Sequence, residues 1–249
     1  MKNIRLDVEY DGTAYAGWQR QPQVRTVQGE LERALLDLTG EAVEVFGCSR
    51  TDAGVHALNH VSNFKTVSTI PADRFCYALN ARLPKDIVVK ASSEVDEEFH
   101  ARFSCEGKRY LYQVYSCDTQ SALLANRSWF TPMDLDVKAM NLAAQQFVGE
   151  YDFKAFQAVG SSAQTTVRQM TDACVYEREI PERGRLICFE IAGTGFLYNM
   201  VRIMTGTLLD VGKGRKSPED MLAIIAGGER QNAGPTAPPQ GLFLKEVYY

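Results

Sequence analysis

The fold is decided by the first strand and helix that the chain can form, within residues 4–40, IRLDVEYDGTAYAGWQRQPQVRTVQGELERALLDLTG. Apolar and polar residues alternate from residue 4 to residue 10, and this period of two predicts a half-buried β-strand. After a glycine-rich loop, Thr26 precedes an apolar stripe of helical spacing that ends at Gly40, the pattern of a capped amphipathic helix. The stretch therefore predicts one β-α unit.

Elements of the same kinds follow along the chain. Strands are expected at residues 43–47, 58–65, 86–95, 108–116, 167–178, 185–192 and 242–249, and helices at Pro71, at 137–148, at 197–211 and after Ser217. Each half then reads β-α-β-β-α-β, an order that forms an antiparallel sheet with helices on one side. We expect an α+β protein of two ferredoxin-like halves, residues 1–105 and 106–249, whose sheets lie side by side and form a ligand-binding cleft.

Composition indicates a soluble, cytoplasmic protein. The apolar runs, such as residues 222–226, are far shorter than the roughly 20 residues that span a membrane, and the start of the chain has no signal-peptide pattern. The six cysteines form no Cys-x-x-Cys pair, so zinc and redox motifs have little support and we expect reduced thiols.

The net charge of −4 counts against a nucleic-acid partner, because phosphate binding is usually accompanied by a basic excess. The objection is not decisive, since affinity depends on where the charges lie. Residues 108–109 and 213–216 are candidate basic spots, although adjacent cations are more often a solvated surface.

The densest cluster of reactive residue types is GCSRTDAGVHA at residues 47–57, between two predicted strands. Asp52 lies in a turn-forming stretch, so it is either a turn cap or a catalytic carboxylate. Residues four apart, such as His56 and His60, lie on one face in a helix, but this stretch is predicted to be a strand. No third ligand is evident either, so no metal site is expected. We expect His56 to make hydrogen bonds in the loop.

The loop at residues 11–20 contains two glycines but neither a dinucleotide-binding spacing nor a P-loop lysine. It interleaves Tyr15, Trp18 and Arg20, a mixture that suits stacking on bases and contact with phosphates. Aromatic residues in loops are equally often packing anchors, so both interpretations stay open.

The stretch RTDAGVHA at residues 50–57 resembles the catalytic signature of the tRNA pseudouridine synthase A family. The resemblance extends over nearly the whole chain with its motifs in order, which makes it highly specific. Asn199 and Ile203 stand where relatives often carry other residues. The other segments that carry the resemblance are residues 10–13, 17–22, 26–29, 78–80, 99–104, 108–112, 152–153, 195–202 and 241–244.

The resemblance implies a role for each matching residue. Asp52 corresponds to the catalytic nucleophile, Tyr110 to the tyrosine that packs on the target base, and Arg202 to a cation near the aspartate. Arg50 corresponds to an arginine that helps displace the base, and Leu242 (or Leu244) to the apolar wall of the pocket. The family's members are homodimers that use no cofactor or metal and modify uridines 38–40 of the tRNA anticodon stem-loop.

The chemistry implied is the isomerisation of uridine to pseudouridine, which moves the ribose from N1 to C5 of the base. The carboxylate attacks the sugar or the base, or removes a ribose proton, and the sequence leaves these routes open. One alternative is a non-catalytic RNA-binding protein of the same fold, which needs no aspartate in this loop. A glycoside hydrolase is a second alternative, but it requires two carboxylates across the scissile bond, and only Asp52 has a motif context.

Overall fold

The computed structural model describes residues 1–160, 163–181 and 183–249. They form two compact units: Met1–Glu106 with Phe243–Tyr249, and Gly107–Leu242. Both units combine strands with helices, and the predicted α+β class is confirmed.

The described residues contain ten strands and five α-helices. The strands are β1 (Lys2–Tyr10), β2 (Phe46–Gly47), β3 (His56–Thr66), β4 (Ile87–Val95), β5 (Gly107–Ser116), β6 (Trp129–Thr131), β7 (Gly149–Asp152), β8 (Val167–Arg178), β9 (Arg185–Gly193) and β10 (Leu242–Tyr248). The helices are α1 (Val27–Thr39), α2 (Phe75–Asn80), α3 (Val137–Gln145), α4 (Met200–Gly212) and α5 (Asp220–Gly227).

The sheet of the first unit has the order β4-β1-β3-β10, with β2 added to β3. β1 runs antiparallel to both β3 and β4, while β10 runs parallel to β3 and places Phe243 opposite His56. Along β1 the side chains of Ile4, Leu6 and Val8 are fully buried on one face, as the alternation of apolar residues predicts. The chain order of the first four strands and two helices is β1, α1, β2, β3, α2, β4.

Helix α1 begins and ends where its capping residues predict. The Thr26 hydroxyl oxygen accepts a hydrogen bond from the Gly29 N–H at 3.3 Å, and Gly40 closes the helix in the left-handed region at φ 74°. Leu31 and Leu35 are fully buried on the stripe. Burying a leucine side chain stabilises a fold by roughly 1.5–3 kcal/mol, so this face anchors the helix in the core of its unit.

The sheet of the second unit has the order β5-β9-β8-β7, with all neighbours antiparallel. β6 pairs in parallel with β5. Helix α3 packs on β8 and against α4, and the apolar face of α4 contributes Ile203, Met204 and Leu208 to the core, each fully buried.

Three features differ from the sequence prediction. β6 and β7 were not expected; each is only three or four residues long, too short for a periodic pattern to reveal. Residues 243–249 were placed in the second half but belong to the first unit, because β10 pairs with β3. The predicted β-α-β-β-α-β order is therefore not closed within the second unit.

Within the described ranges, no helix is long and apolar enough to cross a membrane. The six cysteines are free thiols, three of them buried.

Candidate active site

Asp52 lies on the loop between β2 and β3, with its side chain half-buried. The residue before it, Thr51, is buried and shares a hydrogen bond of 2.8 Å between its hydroxyl and that of Tyr10 at the end of β1. The buried threonine therefore attaches the aspartate loop to the central strand of its unit.

A tight turn follows the aspartate. The Val55 N–H donates to the Asp52 carbonyl oxygen at 3.1 Å, and Gly54 at the third position of this turn has φ 78°. A positive φ at that position is the mark of a type II turn and strongly favours glycine. The Asp-Ala-Gly-Val sequence therefore sets the backbone that carries the carboxylate.

The loop at residues 11–20 braces the aspartate loop from the side through close backbone contacts. The Trp18 N–H donates to the Thr51 carbonyl at 3.1 Å, and the Gly54 N–H donates to the Tyr15 carbonyl at 3.3 Å. A Cβ on Gly17 would lie only 2.4 Å from the Thr51 carbonyl oxygen, so the two backbones approach too closely for any side chain there.

Trp18 is a buried part of the same arrangement. Its ring is 3% exposed and stacks on the imidazole of His60 with 3.6 Å between centroids, and His60 Nε2 lies 3.0 Å from the Ser49 carbonyl oxygen. Tyr15 is 4% exposed and donates its hydroxyl to Asp86. These two aromatic residues are thus packing anchors, and the interpretation of them as a base-stacking platform is wrong because neither ring is accessible.

The third residue of that mixture, Arg20, has an exposed side chain paired with Glu32 at 2.9 Å. Arg109, part of a candidate basic spot, pairs with Asp172 at 2.7 Å and lies 3.5 Å from Glu190. Both cations are therefore already balanced by carboxylates within their own unit.

His56 makes loop hydrogen bonds, as predicted. Its Nδ1 accepts from the Gly12 N–H at 3.0 Å, and its ring stacks on Phe243 with 4.7 Å between centroids. The Asp11 carboxylate lies 3.2 Å from the same nitrogen. In the described part of the chain, no group of three or more His, Cys, Asp or Glu residues could hold a metal ion.

In the second unit, Tyr110 lies on β5 and is 7% exposed. Its ring meets Phe196 edge to face, with 4.9 Å between centroids. The same face of β5 carries Tyr112, which is fully buried and donates its hydroxyl to the Pro238 carbonyl at 2.7 Å. Burial raises the pKa of Tyr112 above its usual value, partly offset by the positive charge of Arg202.

Arg202 lies in the first turn of α4, and its guanidinium is held by oxygen acceptors. Its Nε donates to the Ala237 carbonyl at 2.7 Å, and one terminal nitrogen donates to Asn199 Oδ1 at 2.7 Å. The Ala237 N–H in turn donates to the Arg202 carbonyl at 3.1 Å. The segment around residue 237 therefore holds both the backbone and the side chain of Arg202.

The remaining predicted site residues occupy simpler positions. Arg50 is exposed on the aspartate loop, two residues before Asp52. Leu242 is 7% exposed at the start of β10, whereas Leu244 is fully buried. The first unit thus brings together Asp52 and Arg50, and the second contains Tyr110, Arg202 and Leu242. Sequence reasoning assigned no role to Asn199, whose side chain accepts from Arg202 three residues further on, or to Tyr112, whose partner Pro238 is distant in the chain.

Comparison with known proteins identifies the family. A family model described as tRNA pseudouridine synthase matches residues 8–104 and 143–249. The chain belongs to this family. It is therefore an isomerase that acts on tRNA, and the resemblance drawn from its motifs is confirmed.

Individual members of the family are similar over their full length. Proteins named tRNA pseudouridine synthase A from Acetivibrio thermocellus, Ruminiclostridium cellulolyticum and Caldicellulosiruptor bescii are 53%, 51% and 48% identical, each over 249 residues and all of both chains. A solved Cbf5-Nop10-Gar1 complex matches at 15% identity over 83% of this chain and 45% of that chain, with a TM-score of 0.32.

Proposed function

We propose that this pseudouridine synthase converts uridines 38–40 of the tRNA anticodon stem-loop, with Asp52 as its nucleophile. The observation that carries the proposal is the construction of the aspartate loop. Its backbone is held at Thr51, Asp52 and Gly54 by hydrogen bonds to neighbouring segments and by its own turn, and this presents the half-buried carboxylate in one place. Pre-organisation of this kind is typical of catalytic groups.

The reaction rearranges one nucleoside without loss of atoms. The bond between N1 of uracil and C1′ of ribose breaks, a bond between C5 and C1′ forms, the proton on C5 leaves, and N1 gains a proton. A carboxylate nucleophile can hold the detached fragment covalently while the base turns. A nearby guanidinium favours the ionised form of the nucleophile, which is the role we propose for Arg202.

The other predicted residues serve binding of a uridine that has left its stack. Unstacking a base costs a few kcal/mol, which contacts with the extruded base must offset. We propose that Tyr110 packs on the base, Leu242 forms an apolar wall and Arg50 helps displace the nucleotide. Tyr110 and Leu242 each keep a small exposed fraction, 7%, through which a base could be contacted, and the exposure of Arg50 is consistent with contact with RNA.

Tritium release from C5-labelled uridine in tRNA tests the catalytic part of the proposal. Asp52→Asn removes the nucleophile with almost no change in size, and we expect it to lower the single-turnover rate by about a thousandfold or more. Asp37→Asn is the matched control, because Asp37 is exposed on α1 and should release tritium at the parent rate. An Asp52→Asn enzyme as fast as the parent would exclude the carboxylate from the chemistry.

Substrates that carry a single labelled uridine test the position. We expect release from uridine at 38, 39 or 40 and none from labelled uridines in other arms of the tRNA. Release confined to other arms would overturn the anticodon assignment and leave the isomerase activity intact.

We further propose that the enzyme acts as a cytoplasmic homodimer, the state implied by its resemblance to the A-type synthases. Light scattering should give twice the chain mass of 27.8 kDa. A mass equal to that of one chain at working concentration would contradict the dimer.

A further inference from the structure

The residue immediately before α4, Asn199, has a backbone conformation that few residues adopt. Its φ is 60° and its ψ 10°, in the left-handed region, where asparagine is tolerated better than most non-glycine residues. The turn is held by backbone bonds: the Met200 N–H donates to the Leu197 carbonyl at 3.1 Å, and the Ile203 N–H donates to the Asn199 carbonyl at 3.0 Å. Glycine would satisfy this geometry equally well.

The side chain of Asn199 does not cap the helix that it precedes. Asparagine at the start of a helix normally accepts a hydrogen bond from an N–H of the first turn. Within the described residues, the Asn199 side chain makes no such capping bond. Its Oδ1 instead accepts from the Arg202 guanidinium at 2.7 Å. Because arginine can only donate, the amide must present its oxygen to Arg202.

This contact completes the fixation of the guanidinium plane. Nε is held by the Ala237 carbonyl on one side, and a terminal nitrogen is held by Asn199 on the other. Hydrogen bonds at two nitrogens of a planar guanidinium restrict its orientation. These two acceptor oxygens therefore orient the cation.

We propose that Asn199 is a positioning residue, which fixes the direction in which the Arg202 guanidinium points and so keeps it productive for the Asp52 chemistry. This inference rests on the proposed function, in which Arg202 supports the nucleophile. Asn199 itself touches no reacting atom. A displacement of about 1 Å in a catalytic group lowers a rate by roughly a hundredfold, which sets the scale of the expected effect.

Two substitutions separate the side chain from the backbone. Asn199→Gly keeps the left-handed conformation and deletes the amide, whereas Asn199→Asp keeps an acceptor oxygen and also tolerates this conformation. Asn141→Ala is the matched control, since Asn141 Oδ1 accepts from the Val175 N–H at 2.9 Å in the same unit. It removes an amide-held hydrogen bond of similar length that does not involve Arg202.

The measurement is tritium release under single turnover at pH 8, above the range in which carboxylates ordinarily titrate, together with the Kd for tRNA. We expect Asn199→Gly to lower the single-turnover rate by about 10- to 100-fold with a less than about threefold change in Kd. Asn199→Asp should recover most of that loss. Asn141→Ala should lower the Tm and leave the rate unchanged.

An Asn199→Gly enzyme with the parent rate would overturn the inference, as would an Asn199→Asp enzyme no faster than Asn199→Gly. Arg202→Ala and Asp52→Asn are measured beside them. If these two variants lose activity while Asn199→Gly does not, the inference fails and the proposed function stands. If Asp52→Asn or Arg202→Ala keeps the parent rate, the failure lies in the proposed function itself.

Discussion

Replacing Gly17 by alanine should displace the aspartate loop without touching any side chain of the site. Gly17 has φ 95°, and a Cβ there would lie 2.4 Å from the Thr51 carbonyl oxygen and 3.2 Å from the Asp52 carbonyl carbon. Ordinary van der Waals contact begins near 3.4 Å. The two backbone segments must therefore separate by about 1 Å next to Asp52, because no flexible side chain is present to give way.

Two separate magnitudes follow from this geometry. The left-handed conformation costs an alanine roughly 1–3 kcal/mol, which lowers the Tm by about 2–4 °C for each kcal/mol in a chain of this size. A shift of about 1 Å in a catalytic group lowers the rate by about a hundredfold. We therefore expect Gly17→Ala to fold with a reduced Tm and to release tritium about a hundredfold more slowly under single turnover.

Gly40→Ala separates the two effects. Gly40 closes α1 at φ 74°, and in the described part of the chain no atom beyond its own chain neighbours lies within 4 Å of a Cβ placed there. It should show a similar loss of stability with the parent rate. If Gly17→Ala retained the parent rate at a temperature where it is folded, the close approach would not position Asp52. If Gly40→Ala lost as much rate, the effect would be one of stability alone.

Two further predictions concern stability. Thr26→Ala removes the acceptor for the Gly29 N–H at the start of α1 and should cost about 1 kcal/mol, measured by urea unfolding; no change would show that the cap contributes nothing. Tyr112→Phe loses the hydrogen bond to Pro238 and should therefore have a lower Tm than the parent at pH 8. As the pH rises from 9 to 11, the Tm of the variant should fall by less than the Tm of the parent. Because burial raises the folded-state pKa of Tyr112 above its unfolded value, its contribution is complete below about pH 10 and declines as the pH rises. An equal change of Tm with pH in the variant and the parent would contradict this.

Local patterns predicted the parts of the fold that depend on neighbours in the chain. Helix α1 illustrates this, because its cap at Thr26, its buried stripe and its glycine end all act within a few residues of each other. Strand β1 shows the same for alternation. The bounds of these two elements therefore follow from sequence to within two residues.

Patterns failed where the partner lies far along the chain. The sequence of residues 243–249 does not show whether this strand pairs with β3 or belongs to the second half. The alternation of apolar residues predicts a strand but not which strand it pairs with. Trp18 is a similar case. Its loop has the composition of a nucleic-acid platform, and only the stack on His60 in β3 shows that the ring is buried.

In the candidate site, distance along the chain does not explain what was missed. Asp52 was singled out by a dense local motif whose turn glycine acts within the loop itself, and the resemblance to the A-type synthases then favoured a catalytic role over a turn cap. Asn199 was noted only as a departure from relatives, because its significance is a bond to Arg202 that depends on a left-handed turn. A non-glycine residue with positive φ before a helix has no sequence signal beyond the identity of asparagine.

The two parts of the proposed site share one method of construction. On the aspartate loop, backbone groups of the loop at residues 11–20 hold the peptide that carries Asp52. At α4, the Ala237 carbonyl and the Asn199 amide hold the guanidinium of Arg202. In both places the supporting partners are uncharged, so they fix position without adding a charge that would shift the balance between carboxylate and cation. We therefore expect substitutions of these supports to act on rate through geometry, whereas substitutions that introduce charge beside Asp52 or Arg202 should also change its pH dependence.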